Sequence, residues 1–152
     1  MSYEAKLREL GYSIEPIELN AGKLMHAVRT GNLIYTSGQV SRWGDREIKG
    51  KLGRDLSVEQ GYEAARLCAL NCLRAVKTLA GSLDNVAQIV KLLGMVNVAP
   101  DFDDTPAVIH GGSDLLREVF GAAGRHARSA VGMTIPLNYA VEIELIVELH
   151  ST

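Results

Sequence analysis

The last stretch of the chain, AVEIELIVELH at residues 140–150, alternates strictly between apolar and polar positions. Such a period of two predicts a β-strand with one buried face. The two faces would carry Val141, Ile143, Leu145, Val147 and Leu149 on one side, and Glu142, Glu144, Ile146 and Glu148 on the other. The glutamates form either a solvated surface or part of a site, and the pattern alone leaves both open.

A long amphipathic helix is predicted over residues 57–80. Ser57 and Gln60 have the spacing of a capping box, in which side chains and backbone satisfy each other's hydrogen bonds at the start of a helix. Apolar residues then recur every three or four positions until Gly81. Near the N-terminus, YEAKLRELG predicts a short helix that ends at Gly11.

A second long helix is predicted from Thr105 to about Gly121. Thr105 is a suitable N-cap, and Pro106 suits the first helical position because the N–H it lacks would have no partner there. The pair Gly111 and Gly112 weakens the prediction, since each glycine costs about 1 kcal/mol relative to alanine. We therefore expect this helix to begin irregularly.

The remaining apolar segments predict β-strands. They are LMHAVRT, NLIYTSGQV after a Gly31-Asn32 turn, NVAQIVKLLGMVNVA, ARSAVGMTI and the closing strand. Their order predicts an α+β fold in which both helices cover one face of a mixed sheet. The segment SRWGDREIKGKLGRD is polar and is expected to form one long loop.

Several predicted strands are apolar on both faces, which bears on assembly. In IVKLLGMV the two faces would carry Val90, Leu92 and Val96 on one side and Ile89, Leu93 and Met95 on the other. If helices cover only one face, something outside the monomer must bury the second. We therefore expect a homo-oligomer with sheet faces packed together.

Length and composition indicate a single globular domain over residues 1–152. Hydrophobic residues make up 47% and charged residues 22% of the chain, which excludes intrinsic disorder. MSYEAKLREL lacks the apolar core of a secretory signal, and no apolar run could span a membrane, so we expect a cytoplasmic protein. The formal net charge of −2, the pI of about 6.1 and the aromatic content of 5% argue against a nucleic acid partner.

Two charged residues are candidates for chemistry. Arg128 begins the strand ARSAVGMTI, where a guanidinium is suited to a bidentate contact with a carboxylate. Glu142 lies on the polar face of the closing strand and would share a cleft with Arg128 if the two strands formed a hairpin through PLNY. Each residue is also typical of a solvated sheet edge, and Arg128 of a structural ion pair.

Other candidate groups give weaker signals. In TSGQ, Ser37 and Gly38 place a hydroxyl and a glycine at a strand end, where backbone can approach a ligand, although most such ends are only turns. Cys68 and Cys72 have helical spacing and are interpreted as small core residues. No metal site is expected, because no ligand spacing relates the cysteines to histidines or the four histidines to one another: His26, His110, His126 and His150.

In the succession of its motifs the chain resembles the YjgF/RidA family, the reactive intermediate deaminases, also called the endoribonuclease L-PSP family. The segments that carry the resemblance over residues 20–149 are GNLIYTSGQV, GYEAARLCALNCLRAVKTLAGSLDNV, IVKLLGMVNVAPDF, VFGAAGRHARSAVG and PLNYAVEIELIVE. Each motif is weak alone, but their order is specific. Residues 1–20 form an N-terminal extension, and DLSVEQGYEAARL resembles a divergent branch.

The resemblance implies a chorismate-mutase-like fold assembled as a homotrimer, with sheets around a central barrel and clefts between subunits. It implies that Arg128 holds the substrate carboxylate and that Glu142 orients the attacking water. Ser37 and Gly38 would contribute to the cleft wall.

The sequence also departs from the family pattern. Leu24 falls where a tyrosine commonly lines the cleft, Ala130 replaces a frequent cysteine, and an asparagine of the second helix is replaced around Gly112 or Ser113. The segment between the family arginine and glutamate is one residue shorter. These changes alter the pocket and leave the arginine and glutamate pair in place.

The function implied is hydrolysis of small enamines or imines derived from amino acids to 2-keto acids and ammonia. No cofactor is expected, since a protonated imine is already electrophilic. An alternative is a binding protein for small carboxylates that performs no chemistry, and Leu24 and Ala130 support it because the pocket has lost polar groups. A third possibility is the endoribonuclease of the family's other name, which the composition and the absence of paired histidines disfavour.

Overall fold

The fold is an α+β arrangement of three helices and a mixed sheet, seen in a computed structural model that describes residues 1–151. The helices are α1 (Tyr3–Glu9), α2 (Val58–Ala80) and α3 (Thr105–Phe120). The strands are β1 (Ala27–Thr30), β2 (Leu33–Thr36), β3 (Gln39–Val40), β4 (Arg42–Trp43), β5 (Arg46–Glu47), β6 (Val86–Asn97), β7 (Ala127–Met133) and β8 (Val141–Leu149).

The main sheet has the order β1-β2-β8-β6-β7, and β3 pairs with β8 beyond the end of β2. Only β6 and β7 run parallel, because α3 connects them; the other pairs are antiparallel. The buried side chains of β8 are the apolar set predicted from its alternation, and they lie under α2 and α3. The uncovered side is called the outer face.

Helix α2 begins as predicted. The Ser57 side chain accepts from the Gln60 backbone N–H, and the Gln60 side chain accepts from the Ser57 backbone N–H. The capping box is therefore confirmed, and the helix ends at Gly81, whose φ of 82° is in the left-handed region that favours glycine.

Helix α3 differs from the prediction at its start. Its N-cap is Asp104, one residue earlier than expected, because the Thr105 hydroxyl donates to the Ala130 carbonyl of β7 (3.0 Å). The helix is regular through both glycines, so the expected irregular start is wrong. A Cβ at Gly111 would overlap the Tyr62 carbonyl oxygen, so this glycine permits close packing of α2 and α3.

The face assignment predicted for β6 is also corrected. Register shifts occur between Val86 and Gln88 and between Ile89 and Lys91. The second irregularity places Ile89 on the same buried face as Leu92, whereas strict alternation would separate them.

The outer face nevertheless carries apolar residues, as expected for a sheet with two apolar faces. Val28 pairs with Tyr35 across β1 and β2, and both are exposed. At the opposite edge of the sheet, Val131 and Met133 of β7 are also exposed on the outer face. One chain alone therefore leaves an apolar sheet surface open.

Two predicted connections are wrong. The polar segment expected as one loop contains a small hairpin of β4 and β5. The hairpin through PLNY, on which a shared cleft within one chain depended, does not form, because β6 lies between β7 and β8. The chain between β7 and β8 crosses the end of β6 through a short turn in which Leu137 and Asn138 have positive φ, and Asn97 donates to the Ala140 carbonyl.

The core confirms the interpretation of the cysteines. Cys68 and Cys72 are fully buried, and their thiols donate to the carbonyls of Val141 and Ile143 at 3.3 Å. Burial raises the pKa of the Cys72 thiol to about 12, which disfavours the thiolate required for redox or metal chemistry. Among residues 1–151, no helix has the length and apolar character to cross a membrane.

Candidate functional site

Arg128 lies on the helix-covered side of the sheet, near the start of β7. It is in register with Leu92, a fully buried residue of β6. Its Nη1 donates to Nδ1 of His110 (2.9 Å) and to Oγ of Ser113 (3.3 Å), both on α3. Since a guanidinium can only donate, His110 accepts through an unprotonated Nδ1.

A second histidine fixes the direction of this hydrogen-bond chain. Nδ1 of His126 lies 2.7 Å from the Gly124 carbonyl, which can only accept, so Nδ1 carries the proton. Nε2 of His126 then accepts from the Ser113 hydroxyl (2.9 Å), and the Ser113 oxygen accepts from Arg128. Burial lowers the pKa of His126, and the charges of Arg128 and Arg117 lower it further.

The Arg128 side chain lines a surface cleft of about 480 Å³, here called the basic cleft. Three guanidiniums and two imidazoles face this space, against one carboxylate. The cleft is lined by His110, Ser113, Asp114, Arg117, Arg125, His126 and Arg128. Such a set of donors is suited to binding an anion.

Glu142 lies on the outer face, in β8. Its neighbours Val141 and Ile143 point into the core, while Glu142 itself is half-buried. A Cβ at position 38 would collide with the Glu142 carboxylate, so a glycine is needed for the backbone to lie this close to Glu142. Burial raises the pKa of the Glu142 carboxyl, and the neighbouring charge of Glu144 raises it further.

The other predicted site residues divide between these two places. Ser37 adjoins Gly38, and its hydroxyl donates to the Met25 carbonyl (2.6 Å). Leu24, next to Met25, is exposed. Ala130 belongs to the other group, because it follows Arg128 by two positions in β7 and faces the same side of the sheet.

Within one chain the two groups do not meet. Arg128 contacts α3 on the helix-covered face, whereas Glu142 and Gly38 lie at the outer face. The structure therefore brings Glu142 together with Gly38 and Ser37, and Arg128 together with α3, without joining the two sets.

Five residues of the basic cleft were not predicted as site residues: His110, Asp114, Arg117, Arg125 and His126. The spacing of His110 and Ser113 puts them on one helix face, but nothing in the sequence shows that this face meets Arg128. Ser113, and not Gly112, is the residue of the uncertain pair that contacts Arg128, since Gly112 packs against Ile143. In the described residues no group of three His, Cys, Asp or Glu side chains could hold a metal ion.

Comparison with known proteins decides the family. The family described as YjgF/chorismate mutase-like, putative endoribonuclease, matches residues 4–149. The chain belongs to the YjgF family. A curated relative, Protein TCP17 of Trypanosoma cruzi, is 37% identical over 150 residues, which cover 97% of this chain and 94% of the relative.

Solved structures place the chain in the same YjgF fold. Atu1372 of Agrobacterium tumefaciens, a protein of unknown function, shares 39% identity at a TM-score of 0.90, covering 99% of this chain and 94% of that one. A putative endoribonuclease from Shewanella oneidensis MR-1 shares 33% identity at a TM-score of 0.92, covering 98% and 100%. The YjgF gene product of E. coli is more distant, at 25% identity and a TM-score of 0.60, covering 86% and 91%.

Proposed function

We propose that the protein hydrolyses small enamines or imines derived from amino acids, in a cleft formed between neighbouring subunits. In the reaction, one water molecule hydrolyses the C=N bond of the imine and gives one 2-keto acid and one ammonia. The observation that carries the proposal is the setting of Arg128, whose guanidinium is oriented by His110 and Ser113 in a cleft rich in positive charge.

Arg128 would hold the substrate carboxylate. Its Nη1 is oriented by α3, which reduces the conformational entropy that the side chain would lose on binding. A charge-assisted hydrogen bond to a carboxylate contributes about 1.5–3 kcal/mol when it is shielded from water. This interaction fixes one end of the substrate and thereby the position of its imine carbon.

Glu142 would orient the attacking water and accept its proton. Burial and Glu144 raise the pKa of Glu142, so its carboxylate is a stronger base than an exposed glutamate. General-base assistance of this kind is worth about 10²–10⁴ in rate. The proton passes to the nitrogen as the C–N bond of the tetrahedral intermediate breaks, and ammonia leaves.

A second subunit supplies the missing half of the site in this proposal. Since Arg128 and Glu142 lie on opposite faces of one sheet, a substrate that touches both must lie between two chains. Apolar side chains exposed at both edges of the outer face, among them Tyr35 and Val131, support such packing. We propose a homotrimer in which the outer faces line a central barrel.

The test is release of ammonia from imino acids generated in place by an amino acid oxidase. Wild type should accelerate release over buffer, and Arg128→Ala and Glu142→Ala should each lower kcat/KM by at least about tenfold. Arg8→Ala, an exposed arginine on α1, is the control. Equal rates for wild type, both variants and buffer would exclude the activity.

A non-catalytic carboxylate-binding role is the second candidate. It is favoured by Ala130, which adds no polar group beside Arg128, and by the exposed Leu24. A keto acid at a hundredfold its Kd should then stabilise the protein by about 2.7 kcal/mol without any turnover. A thermal-shift series with the same Arg128→Ala variant separates this role from the enzyme, and labelled RNA in a parallel reaction tests the endoribonuclease.

A further inference from the structure

Two arginines of the basic cleft are not used by the proposed reaction. Arg117 lies in the last turn of α3, and Arg125 follows the short 3₁₀ turn Gly121–Gly124. Both are exposed and line the same cleft as Arg128. They also line an adjoining depression, so they extend the cleft away from the Arg128 end.

The acidic residues near these arginines are engaged elsewhere. Asp114 accepts from the Tyr62 hydroxyl (2.7 Å), and Glu118 pairs with Arg66 (3.1 Å). Within residues 1–151, the side chains of Arg117 and Arg125 form neither a hydrogen bond nor an ion pair. The cleft therefore presents two guanidiniums whose charge nearby carboxylates do not directly neutralise.

Helix stabilisation explains the position of only one of these two arginines. A cation in the last turn of a helix interacts favourably with the helix dipole, which accounts for Arg117. Arg125 lies beyond the turn, where the backbone is extended, and has no such role. Its placement beside Arg117 and in the cleft of Arg128 needs another explanation.

If the ligand carried a single carboxylate, bound by Arg128, the positive charges of Arg117 and Arg125 would remain without an anionic partner. We propose that the natural ligand carries a second acidic group, a carboxylate or a phosphate, and that Arg117 and Arg125 bind it. The inference rests on the proposed function for the role of Arg128. It defines the substrate class as imines of dicarboxylic or phosphorylated amino acids, hydrolysed to the corresponding keto acid and ammonia.

The first experiment compares two imines that differ in one carboxylate. Iminosuccinate and 2-iminopropanoate are generated in place, and kcat/KM for ammonia release is measured for each. Wild type should prefer iminosuccinate by at least about tenfold, as expected for one charge-assisted interaction. Arg117→Gln and Arg125→Gln should each lower this preference at least threefold, and the control Arg8→Gln should preserve it.

The second experiment measures binding without turnover, by calorimetry with pyruvate, oxaloacetate and 3-phosphohydroxypyruvate. Tighter binding of either dianion, weakened in Arg125→Gln, supports the inference and shows whether carboxylate or phosphate is preferred. If a dianion binds more tightly through Arg125 but neither imine is hydrolysed, the proposed hydrolysis is overturned and the binding of a second acidic group by Arg117 and Arg125 is supported. Hydrolysis of both imines with no preference would overturn the inference alone, and absence of both turnover and preference would overturn both.

Discussion

Arg128 and Glu142 lie on opposite faces of the same sheet, separated by the strand β6. Arg128 is aligned with Leu92, and Glu142 with Met95, a residue on the other side of β6. Because successive residues of a strand face opposite sides, no rotation of the side chains alone brings this pair around the sheet. In the proposed function, each chain therefore contributes two half-sites, one basic and one acidic.

Gly38→Ala should reduce activity by moving Glu142. The added Cβ would collide with the carboxylate of Glu142, which must then rotate away from its position over the backbone. We expect kcat to fall by at least about tenfold. In a Glu142→Ala background the same substitution should lower kcat no further. If Gly38→Ala lowers kcat by the same factor in both backgrounds, it does not act through the contact with Glu142.

Ser113→Ala should weaken substrate binding more than it slows chemistry. The Ser113 oxygen accepts from Arg128 and its hydroxyl donates to His126, so its removal frees the guanidinium. Loss of one hydrogen bond of about 0.5–1.5 kcal/mol predicts a KM about two- to tenfold higher with kcat little changed. Ser129→Ala, on the opposite face of β7, is the matched control, and equal effects of the two variants would refute this role.

His126 should make the protein less stable as the pH falls. Burial, together with Arg128 and Arg117, holds its folded-state pKa below the usual 6.5. The unfolded state then binds more protons between these two values, so the free energy of unfolding decreases as pH falls from about 6.5.

The corresponding measurement is the fall in melting temperature between pH 7.5 and pH 5. We expect His126→Gln to reduce that fall by the order of 2 °C relative to wild type. His150→Gln, an exposed histidine beyond β8, is the control. An identical fall in wild type and His126→Gln would argue against the charge environment described for this residue.

Gly111→Ala and Gly112→Ala should differ in their effect on stability, although helix propensity favours alanine at both positions. Alanine is better than glycine in a helix by about 1 kcal/mol. At Gly111, however, the new methyl would overlap the Tyr62 carbonyl, and the α2 backbone cannot yield. At Gly112 it meets the flexible end of Ile143.

We therefore expect Gly111→Ala to destabilise by about 2 kcal/mol or more and Gly112→Ala by clearly less. Urea denaturation at one fixed protein concentration measures both, so that any assembly affects the two variants alike. Equal stabilities would show that the two helices can separate to admit the methyl group at Gly111.

Local signals in the sequence were sufficient to predict α2 and β8. The capping box at Ser57 and the alternation from Val141 onward each reflect interactions between residues close in the chain. Strand order was not predictable in this way, because parallel pairing of β6 with β7 depends on how α3 packs. For the same reason the sequence could not show that β7 and β8 form no hairpin through PLNY.

The candidate site was predictable only in part. The family resemblance proposed Arg128 and Glu142 as site residues, and in the structure Gly38, also proposed, lies against Glu142. His110 and His126 were dismissed because they lack metal-ligand spacing, whereas their role in the structure is to orient Ser113 and Arg128. Such contacts form across the sheet and helix layers and leave no periodic pattern.

Subunit complementation tests the central claim most directly. Arg128→Ala and Glu142→Ala each lose at least about tenfold in activity as homo-oligomers in this account, but a mixed assembly contains sites with an intact arginine from one chain and an intact glutamate from the next. Random mixing at equal amounts in a closed ring restores about a quarter of the wild-type sites. Recovery of about that fraction of ammonia release, with mixed assemblies verified by native mass spectrometry, is the predicted result, and mixed assemblies with no activity would contradict a site shared between subunits.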